Sequence, residues 1–110
     1  MAAILNEDRW KSLPLVEQMT NIGSEVGRSA KWLSKGKKEM AEGAFYRALD
    51  LFDLTIKYGR SGQKSRPQLL RELCRTRESY VQAYISSDNK TLALLEKDFN
   101  HYALACRRRM

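Results

Sequence analysis

Apolar residues recur every three or four positions along four stretches of the chain, which is the spacing of one face of an α-helix. The first stretch follows Pro14 and ends at Gly36. Proline is favoured in the first turn of a helix and glycine just beyond the last turn. The pattern therefore predicts a helix between these two residues. Its apolar stripe consists of Leu15, Met19, Ile22, Val26, Ala30 and Leu33.

Three more helices are predicted by the stretches that follow. The second ends at Gly59, before a loop over residues 59–65. The third begins at Pro67, and the turn and capping residues 86–89 separate it from the fourth. Their apolar stripes are Ala41, Ala44, Phe45, Ala48, Leu49, Phe52, Thr55 and Ile56, then Leu70, Leu73, Cys74, Tyr80, Val81 and Tyr84, then Leu92, Leu95, Phe99, Tyr102, Ala103 and Cys106.

No stretch alternates with the period of two that indicates a strand. Four helices joined by short connections predict an all-α fold, an antiparallel up-down-up-down four-helix bundle. We expect one domain over residues 1–110, with residues 1–12 as an arm or short helix anchored by Trp10. The side chains predicted to be buried are Phe45, Phe52, Leu73, Val81, Leu95 and Phe99.

Two glycines interrupt the first predicted helix, although each interior glycine costs a helix about 1 kcal/mol relative to alanine. Gly23 and Gly27 lie four residues apart, beside the apolar stripe and close to Ala30. A row of small residues lets another backbone approach closely. The approaching helix belongs either to the same chain or to a neighbouring subunit, and a ligand against bare backbone is a third alternative.

Charge adds a functional expectation to this fold. The chain carries 20 lysines and arginines against 13 acidic residues, a formal net charge of +7. Such a balance favours a polyanionic partner, most often nucleic acid, over a surface that binds nothing in particular. No apolar run approaches the 18 or so residues of a membrane span, and residues 1–10 lack the features of a signal peptide. We therefore expect a cytoplasmic protein that does not contact membranes.

An up-down bundle gathers basic residues at its ends. One end collects the start of the first helix, the loop between the second and third helices, and the end of the fourth, and with them Arg9, Lys11 and Lys57. The opposite end holds Lys35, Lys37, Lys38 and Lys90. Further groups line the first and third helices. The residues predicted to bind nucleic acid are Arg60, Lys64, Arg66, Arg71, Arg75, Arg107, Arg108, Arg109, Arg28, Lys31 and Lys35.

Catalytic patterns are absent from the sequence. It has no phosphate-binding glycine loop and no nucleophile elbow. The single histidine, His101, is interpreted as a half-buried packing residue, and the spacing of Cys74 and Cys106 fits no zinc site. We therefore predict no enzymatic activity, no cofactor, no metal and two free, buried thiols. Arg77 lies close to an apolar stripe, so we expect a partly buried ion pair with Glu25, Asp50 or Asp53.

Three segments carry a resemblance to a family of small bacterial helical proteins: MTNIGSEVGRSAKW, AFYRALDLFDLTI and RELCRTRESYVQAY. The likeness spans residues 17–105. In architecture, size and charge the chain is also similar to the four-helix-bundle group that includes ribosomal intervening-sequence proteins and the accessory variability determinant of diversity-generating retroelements. This second resemblance implies a homo-oligomer, specifically a pentamer, that works with a reverse transcriptase and its RNA.

Together these observations predict a non-catalytic basic bundle that binds the backbone of RNA or DNA. Its mechanism would be neutralisation of phosphates without readout of base sequence. The resemblance adds the role of an oligomeric accessory subunit of a reverse transcriptase or another nucleic-acid enzyme. The alternative is a protein-interaction or scaffold module whose partner is an acidic protein.

Overall fold

The computed structural model describes residues 7–61 and 67–108. This part of the chain forms five helices: α1 (Glu7–Ser12), α2 (Leu15–Ser34), α3 (Lys38–Ser61), α4 (Pro67–Ile85) and α5 (Asn89–Arg108). All its regular structure is helical, which confirms the prediction of an all-α fold. None of these helices is long and apolar enough to cross a membrane.

The ends of α2 follow the predicted breakers. The helix begins directly after Pro14, and Gly36 closes it with a φ of +74°, a left-handed conformation that glycine adopts without strain. The Gly36 N–H donates to the Leu33 carbonyl at 3.1 Å, and the Lys37 N–H donates to the Trp32 carbonyl at 2.9 Å. These bonds satisfy carbonyls that the last turn leaves without helical partners.

The later helix boundaries agree with those predicted from the sequence, except at the end of α3. Pro67 opens α4, and Asp88 caps α5 by accepting hydrogen bonds from the Thr91 side chain and N–H, which lower the pKa of Asp88. The loop predicted to begin at Gly59 begins later, because α3 continues to Ser61. Helix α3 tolerates Gly59 because one interior glycine costs a helix only about 1 kcal/mol. The first proline after Gly59 is Pro67. Residues 62–66 lie outside the described part.

Helix α2 is the most extensively packed of the five. It packs along both α3 and α5, each of which also contacts α4, while the short α1 lies on α3. The result is a compact globule of four main helices and one short one. Its centre is formed by fully buried side chains from all four main helices, among them Ile22, Val26, Phe52, Tyr80 and Leu92.

The predicted anchor at the N-terminal end is confirmed. Trp10 is only 6% exposed, and its Nε1 donates a hydrogen bond to Thr55 Oγ1 of α3 at 3.1 Å. Gln18 of α2 donates through Nε2 to the Trp10 carbonyl at 2.8 Å. An indole in the core with its N–H satisfied fixes α1 against both α2 and α3.

The predicted core is correct in four of its six members. Phe45, Phe52, Leu73 and Phe99 are buried, whereas Val81 and Leu95 are only partly buried and pack at the margin of the core. Val81 immediately follows the fully buried Tyr80. Successive helical residues are rotated by about 100°, so Val81 is turned away from the centre that Tyr80 occupies.

Aromatic contacts join the helices across this core. Phe45 of α3 stacks on Tyr84 of α4, with ring centroids 4.0 Å apart and planes 8° from parallel. Phe52 of α3 meets Phe99 of α5 edge-on, at a centroid distance of 5.6 Å. Such geometries add about 0.5–1.5 kcal/mol each beyond simple burial.

One buried polar contact crosses the core between α2 and α4. Ser29 and Tyr80 are both fully buried, and their hydroxyl oxygens lie 2.6 Å apart. Ser29 Oγ also lies within hydrogen-bond distance, 2.8 Å, of the Val26 carbonyl. Burial raises the pKa of the Tyr80 hydroxyl well above its ordinary value, because the ionised form would lack water.

The two glycines of α2 face α5 of the same chain. A Cβ at the buried Gly23 would stand 2.9 Å from Phe99 Cβ, while a Cβ at the half-buried Gly27 would collide with the carboxylate end of Glu96. This arrangement supports packing within the chain, one of the alternatives left open by the sequence.

The difference between these neighbours predicts opposite effects of adding a methyl group. Gly23→Ala should lower the free energy of unfolding by about 1 kcal/mol, because overpacking against Phe99 Cβ (about 1–3 kcal/mol) exceeds the gain in helix propensity. Gly27→Ala should raise it by about 0.5–1 kcal/mol, because the Glu96 side chain can turn aside. Urea unfolding of both variants measures this. Equal effects would contradict the described packing of α2 on α5.

The burial of Tyr80 predicts that the free energy of unfolding decreases at alkaline pH. Above about pH 10 a tyrosine in the unfolded chain ionises while the buried Tyr80 stays protonated, so the unfolded state binds fewer protons. The free energy of unfolding should therefore fall by about 1.4 kcal/mol per pH unit from this residue alone. Urea unfolding across this range should show a shallower fall for Tyr80→Phe. The same pH dependence in both proteins would mean that Tyr80 is hydrated in the folded state.

Candidate nucleic-acid interface

Three predicted binding residues line the outer side of α2 and its C-cap, Lys35. Arg28, Lys31 and Lys35 are all exposed, and their spacings of three and four residues place them along one side of the helix. Helix α2 can expose only this side, because the rest of its surface packs on α3 and α5. The structure therefore brings this predicted group together.

The basic end predicted from the loop and the C-terminal tail falls mostly outside the described part of the chain. Lys64, Arg66 and Arg109 lie outside it altogether. Arg60, Arg107 and Arg108 belong to helices, but their side chains are not among those described. Convergence of these residues stays a prediction.

Arg71 and Arg75 form a separate pair. Both are exposed on α4, one helical turn apart. Helices α2 and α4 each pack against α3 and α5, and they meet each other through the buried Ser29–Tyr80 contact. The outer faces of α2 and α4 therefore do not form one continuous surface. Glu72 and Glu78 also interrupt the positive charge around the α4 pair.

Residues 28–38, which we call the basic segment, hold two more cations than the predicted binding set included. Their sequence, RSAKWLSKGKK, contains five basic residues and no acidic one. All five cations, Arg28, Lys31, Lys35, Lys37 and Lys38, are exposed. The predicted binding set omitted Lys37 and Lys38, although the uninterrupted basic composition of this run is visible in the sequence.

Glu25 borders the basic segment but is turned inward. Its Oε1 lies 3.3 Å from Arg28 Nη1, and its Oε2 accepts a hydrogen bond from Arg47 Nε at 3.0 Å. The Glu25 side chain is 13% exposed, against 58% for Arg28 and 52% for Arg47. One carboxylate therefore orients two outward guanidinium groups, and each guanidinium has five N–H donors in total.

Arg47 extends the basic surface from α2 onto α3. It is 22 residues from Glu25 in sequence, so the pairing depends on how the two helices pack. The sequence pattern therefore gives no sign that Arg47 belongs to this surface. The segment RALDLFDLT around it also contains two aspartates, which hide its contribution to a positive surface.

Other charges serve to join helices. Arg77 binds Asp53 through Nε–Oδ1 and Nη2–Oδ2 contacts of 2.9 and 3.3 Å, which confirms the predicted pairing, although only Arg77 is partly buried. Glu7 of α1 accepts hydrogen bonds from Tyr58 and Lys57 of α3, and these bonds lower the pKa of Glu7. The Asp53 side chain is 58% exposed, so its pair contributes at most about 1 kcal/mol.

Metal-ligating side chains do not cluster in the part of the chain that the structure describes. Within that part, no group of three or more His, Cys, Asp or Glu side chains could hold a metal ion. His101 is exposed, contrary to the expected half-buried position. Cys74 is a free thiol, as predicted, but it is half-buried rather than buried, and the Cys106 side chain lies outside the described part.

A small open groove lies between α2, α4 and α5. Its lining residues are Met19, Leu69, Glu72, Leu73, Thr76, Asp98 and Phe99. Its volume of about 100 Å³ is well below the range of roughly 300–1,000 Å³ typical of small-molecule sites. The extended basic segment is therefore the stronger candidate surface.

No protein-family model, curated protein or solved structure matches the chain.

Proposed function

We propose that this protein is a non-catalytic helical bundle that binds the backbone of nucleic acid through the basic segment and Arg47. The observation that carries the proposal is the set of five exposed cations within residues 28–38, with no carboxylate among them. Lysine and arginine at such a surface neutralise phosphates and release counterions, which supplies affinity without reading base sequence.

We further propose that the four main helices run antiparallel, up and down in turn. The sequence order of the contacts between paired helices supports this. Gly23 of α2 faces Phe99 of α5, whereas Gly27, further along α2, faces the earlier residue Glu96. Between α3 and α4, Phe45 contacts Tyr84 while Asp53 contacts Arg77. In such a bundle the basic segment reaches one end of the molecule, where α2 turns into α3.

The distribution of opposite charge supports a directed mode of binding. An exposed stripe on α3 contains Glu42, Asp50 and Asp53 at helical spacing, with Tyr46 between them. A protein that is acidic on part of one helix and basic along another has an asymmetric field, which orients an approaching polyanion. Arg28 and Arg47 can in addition bind phosphate oxygens in a bidentate manner.

The proposal extends to a homo-oligomeric accessory subunit of a reverse transcriptase or another nucleic-acid enzyme. This extension is supported by the resemblance to accessory four-helix-bundle proteins. Several copies would present several basic segments to one strand and so raise its apparent affinity through effective concentration. Light scattering measures the number of copies, and co-purification with a candidate enzyme tests the accessory role.

The binding proposal is tested by removing equal charge from two helices. The variant Lys31→Ala/Lys35→Ala removes two cations from the basic segment, and Arg71→Ala/Arg75→Ala removes two from α4. The first should weaken binding and lower the magnitude of the slope of log affinity against log salt by about 0.7–0.9 per lost phosphate contact. Arg71→Ala/Arg75→Ala should change the affinity and the salt slope less. Fluorescence anisotropy of a labelled oligonucleotide at several salt concentrations measures them.

Two results would contradict this assignment. One is wild-type protein with no affinity for RNA or DNA even at low salt. The other is an equal loss in both variants, which would reflect net charge rather than a surface on α2. If polyglutamate of matched charge competes as well as nucleic acid, the acidic-protein alternative replaces the proposal.

A further inference from the structure

The two tryptophans of the chain occupy different environments. Trp10 is 6% exposed, with its indole N–H bonded to Thr55. Trp32 is half-buried and lies in the middle of the basic segment. Lys31 Nζ lies 5.8 Å from the centroid of the Trp32 ring and Lys35 Nζ lies 5.5 Å from it, within the range of cation–π attraction. An aromatic ring is thus part of the proposed binding surface, and the ammonium groups of two neighbouring lysines lie close to it.

The backbone beneath Trp32 is held firmly. Ser29, one turn earlier, is fully buried and contacts Tyr80, while the neighbouring Leu33 packs against the core. The Trp32 carbonyl accepts hydrogen bonds from the N–H groups of Lys35 and Lys37, at 3.2 and 2.9 Å. The backbone at Trp32 is therefore held by hydrogen bonds and by the core contacts of Ser29 and Leu33, while Lys31 and Lys35 beside it are exposed.

We propose that Trp32 is a stacking platform for an unpaired base, so that the basic segment takes single-stranded rather than duplex nucleic acid. This inference rests on the proposed function, because it names the substrate class of the same surface. Inside a duplex both faces of each base are covered by neighbouring pairs, so an unpaired base stacks on a protein ring without first breaking base stacking. Stacking of this kind tolerates any base, in keeping with binding that does not read sequence.

The lysines fit this role because they can change partners. In the free protein Lys31 and Lys35 are attracted to the Trp32 ring, a weak interaction at an exposed site. When a base covers the ring, the two ammonium groups can turn to the phosphates on either side of it. Arg28 and Lys35 are separated by about 10 Å along α2, given a rise of 1.5 Å per residue. This length accommodates a short run of nucleotides.

Single-tryptophan fluorescence tests the stacking directly. In Trp10→Phe the emission comes from Trp32 alone, and in Trp32→Phe it comes from Trp10 alone. We expect oligothymidylate of about 15 nucleotides, within the range of single-strand site sizes, to quench Trp32 strongly. A duplex of equal length should leave Trp32 unquenched, and Trp10 in the matched variant should respond to neither. Circular dichroism confirms that both variants keep their helices.

Affinity measurements test the same inference without relying on Trp10→Phe. Trp32→Ala should weaken binding of the single strand by about 5- to 140-fold, the range found for removal of a stacking aromatic. Trp32→Phe should retain most of the affinity because a ring remains. Duplex binding should change little in either variant.

The outcomes separate this inference from the proposed function. If nucleic acid binds without quenching Trp32, and if Trp32→Ala weakens single strand and duplex equally, the stacking role is overturned while backbone binding stands. If neither form binds at low salt, both proposals are wrong. A third outcome is that single strand and duplex both quench Trp32, with Trp32→Ala losing equal affinity for each. That result would mean that Trp32 contacts nucleic acid of either form, and it would overturn the preference for single strands.

Discussion

The packing of α2 between α3 and α5 is the constraint on which the rest of the structure depends. Ile22 and Val26 are fully buried on its inner face, and Ser29 contacts Tyr80 across the core. Gly23 allows α2 to approach Phe99 more closely than any larger residue would. A helix held on two sides has one outer face left, and that face carries Arg28, Lys31 and Lys35. The location of the basic surface therefore follows from the core.

The same packing determines how charge is presented. Glu25 lies where α2 meets α3, so its carboxylate is nearly covered while the guanidinium groups of Arg28 and Arg47 extend outward. The left-handed φ at Gly36 ends α2, so that Lys37 lies in the connection and Lys38 begins α3. Residues 28–38 thus contain five exposed cations and no carboxylate, and Glu39 follows them directly. Local sequence and tertiary packing contribute jointly to this surface.

The helices could be predicted because breakers and apolar spacing are local signals. Pro14, Gly36, Pro67 and the turn before α5 lie where the helices begin and end. Arg47 could not be assigned to the site, because its position beside Glu25 depends on contacts between helices distant in sequence. Trp32 was overlooked for a related reason: a large aromatic beside an apolar stripe is usually a core residue. Arg107, Arg108 and Arg109 are the reverse case. Their charge alone predicted a binding site, and their side chains are not among those that the structure describes.

The central claim is that nucleic acid contacts the basic segment. It is tested most directly by following the amide resonances of isotopically labelled protein during titration with a single-stranded oligonucleotide. This account predicts that the largest chemical-shift changes fall on residues 28–38 and on Arg47, and that α3 residues near Asp50 and Asp53 change little. Largest changes on α4 around Arg71 and Arg75, or uniform small changes over the whole chain, would contradict it.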